Sequence, residues 1–287
     1  MDALELIPNG RTQTNFGRNK EKLSCLEEAI TGAGFDEHRA LIIGAGLNVL
    51  PYTRWLESAI LKNNPELQRP YSWEMIELAA ILEKQAKPWT ITVVDNSSEV
   101  CTAVNQQAIV LVDDFYSLND PAMTDYARKF LASVGIRGND DTKMEAINKA
   151  LESRKVVNRL SIFKRVEIPS HVRDRIQVIQ GSMVNLSKSL PTAYNVAICL
   201  NVMMHIPSGF GHVAAQSVCE VVAERGLALS DFELPGFRQI KVFRDENIAD
   251  GDCGGSYTQI TKQYISVKEP GVKPANAGRA LQFQSSA

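Results

Sequence analysis

Short apolar runs that alternate with helical segments most constrain what this chain can fold into. They read "RALIIG", "WTITVVD", "DRIQVIQG", "YNVAICLN" and "GLALSDF". Each has about the length of a strand covered on both faces. Helical spacing separates them. It occurs over residues 23–30, where Gly32 and Gly34 punctuate the end, over 51–63, and over "YSWEMIELAAILEKQAK", stopped by Pro88. It recurs in "SSEVCTAVNQQAIV" and over residues 211–224. Near the C-terminus, "FRQIKVFRDE" and "YTQITKQYISVK" alternate at period two, as an antiparallel pair does. The order predicts an α/β fold: a doubly wound, Rossmann-like, mostly parallel sheet with an antiparallel C-terminal edge.

The middle departs from that rhythm. Residues 113–171 are charged and helix-prone, with no strand signal until "DRIQVIQG". They read as a helical insertion on one edge of the core. The expected layout is an N-terminal arm and helix over residues 1–35, a main domain over 36–268 carrying the insertion, and a tail over 269–287.

Composition excludes several classes of function. A formal net charge of −2 over 287 residues leaves no basic excess for a nucleic-acid footprint. No apolar run approaches the roughly 20 residues of a membrane span. The first residues, "MDALELIPNGRTQTNFGRNK", lack the apolar segment of a secretion signal. The five cysteines contain no C-x-x-C pair, so neither a metal site nor a disulfide framework is expected, and a reducing cytoplasm is the expected location.

In doubly wound sheets, ligands bind beyond the carboxyl ends of the strands, where strand order reverses. The tips therefore carry the chemistry. Gly44, Ala45 and Gly46 form a turn that a ligand can approach closely. Asp95, followed by Asn96, ends the second strand, placed to accept hydrogen bonds from ribose hydroxyls or to cap the next helix. Met183, Val184, Asn185 and Leu186 combine apolar faces with one polar edge, which suits an adenine ring. Cys199, Asn201 and His205 lie at or just past a further buried strand. A dinucleotide reader would carry a third glycine; Asn48 stands there, and Pro51 follows. S-adenosylmethionine has no pyrophosphate to cradle, and the pattern fits it better.

At these residues the chain resembles the chemotaxis-receptor glutamate methyltransferases and their wider kin, the class I S-adenosylmethionine-dependent methyltransferases. "TNFGR" resembles the family's T-x-F-F-R segment. "GAGLNVLPYT" resembles its glycine turn, with Pro51 and Tyr52 on its Pro-Tyr. "VVDNSSEV", "VNLSKSLP" and "YNVAICLNVMMHI" resemble its second-strand acid segment, its V-N-L segment and its F-D-x-I-F-C-R-N-V-x-I-Y-F segment. The resemblance implies that Thr14 and Arg18 close over the cofactor, Arg18 near its carboxylate or the acceptor. It sets Gly44 and Gly46 against the methionine part and Asp95 on the ribose. Asn185 and Leu186 flank the adenine, and Asn201 sits beside the methyl-donor centre. The chain departs from the family at Gly17, Val49, Leu50 and Leu200, and at His205, which replaces a tyrosine.

The expected activity is methyl transfer from S-adenosylmethionine to a small molecule or a protein side chain, with no metal. A carboxylate acceptor needs no base, whereas a hydroxyl or amine benefits from one, and His205 suits that role. Protein-glutamate methylation of the chemotaxis type and a non-catalytic S-adenosylmethionine-binding module are the alternatives.

Overall fold

The computed structural model describes residues 19–46, 72, 74–107, 109–113, 163–190, 193–200, 202–207, 209–250 and 256–271. Helix α1, Lys20–Ala33, places Leu23, Leu26 and Ile30 on its buried side. It stops at Gly34, whose φ of 65° is the left-handed conformation of a helix C-cap. Strand β1, His38–Ile43, follows, buried except at Arg39. Helix α2 is Glu74–Lys84, β2 Trp89–Asp95 and α3 Ser98–Gln106. Then come β3, Ile109–Asp113, β4, Phe163–Glu167, the short α4, Ser170–Arg173, and β5, Ile176–Gln180. A 3-10 turn, Met183–Asn185, leads into α5, Leu186–Ser189, and β6 is Tyr194–Cys199. A second 3-10 turn, Met203–His205, precedes α6, Gly211–Val221, and β7, Val222–Ser230. A hairpin of β8, Phe237–Asp250, and β9, Ser256–Lys268, completes the described fold.

One seven-stranded sheet runs in the order β5-β2-β1-β6-β7-β9-β8. The pairs β5-β2, β2-β1, β1-β6 and β6-β7 are parallel, while β9 is antiparallel to both β7 and β8. The predicted antiparallel pair is present, but its second strand is the inner one. Strand β8, on the rim, therefore runs with the parallel core. Strand β9 pairs with β7 only from Tyr264 to Val267, whereas β8 and β9 pair on to Asp250 and Ser256. The hairpin thus continues past the carboxyl end of β7.

The period-two side-chain pattern sorts the strands onto two faces. On one, Ala40, Ile42, Ile91, Val93, Val196, Ile198, Leu227 and Leu229 meet the buried residues of α1, α2 and α3. On the other, Leu41, Ile43, Val94, Ala197, Cys199 and Ala228 meet Ala214, Ala215, Val218 and Cys219 of α6. Burial of this aliphatic surface, at about 25 cal/mol per Å², is the main force holding the layers together. Among the described residues no helix is long and apolar enough to cross a membrane.

Two readings of the sequence are corrected. The helix expected over "SSEVCTAVNQQAIV" ends at Gln106, and Ile109 opens a strand. The stretch before "DRIQVIQG" does contain a strand, because β4 pairs antiparallel with β3 from Glu167 on Ile109 to Phe163 on Asp113. The expected helical insertion is therefore entered and left through a two-stranded ribbon. Residues 114–162, the helix expected over 51–63 and the C-terminal tail beyond residue 271 lie outside the described residues.

Candidate functional site

Strand order reverses at β1, which has β2 on one side and β6 on the other. The tips of the neighbouring strands end level with it. Ile43 pairs with Val94 and with Cys199, Asp95 with Gln180, and Cys199 with Ser230. The turn after β1 rises from this row. The Gly44 N–H donates to the Val94 carbonyl at 2.8 Å, extending the β1–β2 ladder by one step. Gly44 and Gly46 have φ of 72° and 61°, conformations that strain residues bearing a Cβ. A Cβ on Gly44 would also run into the Val202 side chain, which follows β6. These glycines are required by the turn and by the close approach of the β6 loop.

Asp95 faces this turn. Its carboxylate accepts from the Ser97 N–H at 2.9 Å, and the nearby backbone amides of Gly46 and Asn96 favour its charged form. Burial nonetheless pushes its pKa above the ordinary value, the amide donors offsetting only part of the cost. Asp95 is not the helix cap. Ser97 caps α3, its hydroxyl accepting from the Val100 N–H. The Asp95 carboxylate thus holds the capping residue of α3 and lies beside the glycine turn at the switch point. Asn96 is half-buried, and its carbonyl accepts from the Gln180 side chain at 3.2 Å.

The third tip divides. Met183 and Leu186 are in the core, whereas Val184 is half-buried and Asn185 is exposed. The Leu186 N–H donates to the Ser217 hydroxyl at 2.8 Å, which ties this tip to α6. Met183 also meets Cys199 of the β6 tip, with the two sulfurs 3.8 Å apart. The candidates Met183, Leu186 and Cys199 thus build the floor beneath the tips, and Val184 and Asn185 present the surface. Burial, with Asp231 and Glu74 nearby, holds the Cys199 thiol well above its usual range. It is a packed, unreactive thiol.

His205 ends the 3-10 turn after β6, and its N–H donates to the carbonyl of Val202, the residue packed on Gly44. Its Nε2 is buried and has no hydrogen-bond partner among the described residues. Thr14, Arg18 and Asn201 lie outside the described residues. No group of His, Cys, Asp and Glu able to hold a metal occurs among the described residues.

Several further groups in this region were given no role by the sequence. Glu74 and Glu77 on α2 are buried, where an amphipathic pattern places glutamates outward. Asp231 follows the β7 tip, its N–H donating to the Cys199 carbonyl at 3.3 Å. The Ser72 hydroxyl donates to the Ala45 carbonyl at 3.2 Å. Of these, only Asp231 carried a sequence signal, its place at a strand tip.

No family model matches the chain, and no curated protein matches it in sequence. Solved structures do share its outline. The N-methyltransferase NodS from Bradyrhizobium japonicum WM9, in complex with S-adenosyl-L-homocysteine, is 9% identical over 90% of this chain and 91% of its own, with a TM-score of 0.38. Magnesium protoporphyrin IX methyltransferase ChlM from Synechocystis PCC 6803, with S-adenosylmethionine bound, is 11% identical over 91% and 87%, with a TM-score of 0.37. The YcgJ protein from Bacillus subtilis is 10% identical over 88% and 100%, with a TM-score of 0.38. Superpositions this loose say nothing of function. The strand order defines the class of fold: a Rossmann-like sheet, mostly parallel, whose last strand is inserted antiparallel beside the strand two places before it.

Proposed function

We propose that this chain is an S-adenosylmethionine-dependent methyltransferase whose acceptor is a small molecule or a protein side chain outside chemotaxis. The observation that carries the reading is the position of Asp95, at the end of β2, beside the left-handed glycine turn that follows β1 at the switch point of the sheet. There a carboxylate able to accept from ribose hydroxyls lies beside a left-handed glycine turn. The residues fit the cofactor. Gly44 and Gly46 hold the turn in left-handed backbone, Asp95 keeps acceptor capacity beyond its bond to the Ser97 N–H, and Val184 and Asn185 offer an apolar surface with a polar edge.

S-adenosylmethionine supplies a methyl on a positively charged sulfur, which is electrophilic without further activation. The protein's task is to align and to exclude water. Asp95 would accept from the ribose hydroxyls, and the turn of residues 44–46 would admit the amino-acid part against the backbone. His205 Nε2 would take the proton from a hydroxyl or amine acceptor as its lone pair bonds to the methyl carbon. The β8–β9 hairpin, which continues past the β7 tip, and the segment between β3 and β4, which begins one helix after Asp95, are the parts we assign to acceptor selection. We place this activity in the cytoplasm, with no nucleic-acid partner.

Calorimetry with S-adenosylmethionine, S-adenosylhomocysteine and NADH tests the reading. Binding of the first two but not the third is expected; binding of neither would overturn it. Turnover separates an enzyme from a binding module, and a receptor glutamate as the acceptor would establish the chemotaxis type instead. With a hydroxyl or amine acceptor, His205→Gln should lower kcat roughly 100-fold and leave S-adenosylhomocysteine affinity unchanged. Undiminished kcat would remove His205 from the chemistry.

A further inference from the structure

The turn of residues 44–46 is held by more than its own strand. The Ser72 hydroxyl donates to the Ala45 carbonyl at 3.2 Å. Ser72 is itself gripped at both backbone groups by a single side chain. Its N–H donates to Gln107 Oε1 at 2.9 Å, and its carbonyl accepts from Gln107 Nε2 at 2.9 Å. Both residues are buried, Ser72 at 1% exposure and Gln107 at 7%. A buried carboxamide with donor and acceptor both engaged is costly to replace, since either loss leaves a polar group without water.

Gln107 also follows the last residue of α3, where its N–H donates to the Val104 carbonyl. The helix therefore reaches the same turn from both ends. At its start, Asp95 accepts from the Ser97 N–H and lies near the Gly46 amide. At its finish, Gln107 acts through Ser72 on Ala45. A turn whose glycines could adopt many backbone conformations is restrained at consecutive residues, which removes the entropy that a ligand would otherwise have to overcome on binding.

We infer that Ser72 and Gln107 are positioning residues that pre-organise the 44–46 turn for its ligand, Gln107 acting only through Ser72. The identity of that ligand rests on the adenosyl reading above; the restraint of the turn does not. Hydrogen exchange in the ligand-free protein and calorimetry with S-adenosylhomocysteine test it, applied to wild type, Ser72→Ala, Gln107→Ala and the double variant. Ser72→Ala removes a single hydroxyl and leaves the Gln107 clamp intact. It should speed exchange at the Gly44 and Gly46 amides about fivefold and weaken binding about fivefold. Gln107→Ala should do the same with Ser72 present and add nothing in the Ser72→Ala background, although it lowers Tm in both. Unchanged exchange in Ser72→Ala, or a Gln107→Ala effect that adds in full to it, would overturn the inference. If exchange responds as stated while wild type binds no S-adenosylhomocysteine, the restraint stands and the adenosyl reading falls.

Discussion

The two ends of the same parallel strands are built on opposite plans. The amino edge is sealed. Asn195 bridges neighbouring backbone, donating to the Glu37 carbonyl at 2.6 Å and accepting from the Arg39 N–H at 2.9 Å. His38, 2% exposed, meets Phe35 edge-on, and the Arg175 guanidinium covers the Trp89 ring at 5.0 Å. The carboxyl edge keeps its polar groups poised instead: a carboxylate with raised pKa, left-handed glycines and buried Glu74. The amino edge also buries polar atoms, the His38 ring nitrogens and Trp89 Nε1, without hydrogen-bond partners among the described residues. What it lacks among them is a buried carboxylate set beside a left-handed glycine turn, the combination on which the proposed binding rests.

A pair of glycines sharpens this comparison most. Gly34 and Gly44 have similar φ, 65° and 72°, but a Cβ on Gly34 meets nothing within 4 Å, while one on Gly44 meets Val202. Gly34→Ala should cost about 1 kcal/mol, the strain of the left-handed conformation alone. Gly44→Ala should cost about 3 kcal/mol, strain plus collision, measured by urea unfolding. Val202→Ala in that background should restore part of the loss. Equal costs at the two glycines would break the contrast.

Next in size, Asp95→Asn should weaken S-adenosylhomocysteine binding roughly 30-fold, because a charged acceptor is lost. The amide oxygen can still receive the surrounding N–H groups, so unfolding of the ligand-free variant should show no loss of stability. A large loss would make Asp95 a structural residue like those of the amino edge.

The two edges should also titrate in opposite senses. Burial, aided by Lys87, lowers the His38 pKa below 6.5. The unfolded chain then takes up this proton first, so the contribution of His38 is present above pH 6.5 and is lost as pH falls through its folded value. Burial raises the Asp95 pKa above 3.8. Its contribution is present below pH 3.8 and is lost as pH rises through its folded value. Unfolding free energy against pH should flatten on the neutral side in His38→Phe and on the acid side in Asp95→Asn. The same slope in variant and wild type would refute the assignment.

The smallest effect belongs to the amino edge. Arg175→Ala should cost about 0.5 kcal/mol, the value of an exposed cation–π contact, with ligand affinity unmoved. Any change in affinity would mean that the edges communicate.

Much of this was legible in the chain. The strands β1, β2, β5, β6 and β7 each announce themselves as apolar runs between turn signals, and Asp95 stands at a strand end by its place in "WTITVVD". Strands β3 and β4 did not, because "AIV" continues a helical pattern without a break and "FKRVE" is too charged to read as covered. Met183 and Leu186 look like a ligand's apolar walls in sequence, yet they face inward because Ser217 of α6 holds their loop against the core.

By itself the sequence determined the strands of the main sheet and the helices α1, α2 and α6, and that the last two strands form a hairpin. Those are matters of local periodicity and backbone preference, carried by neighbouring residues. Only the tertiary structure decided that β9 rather than β8 lies against β7, since either register buries an alternating face. It alone decided that the Gly46 amide would come close to Asp95, and that Gln107 would grip Ser72, 35 positions away. Such contacts join residues whose only shared property is where packing brings them, and local pattern holds no record of that.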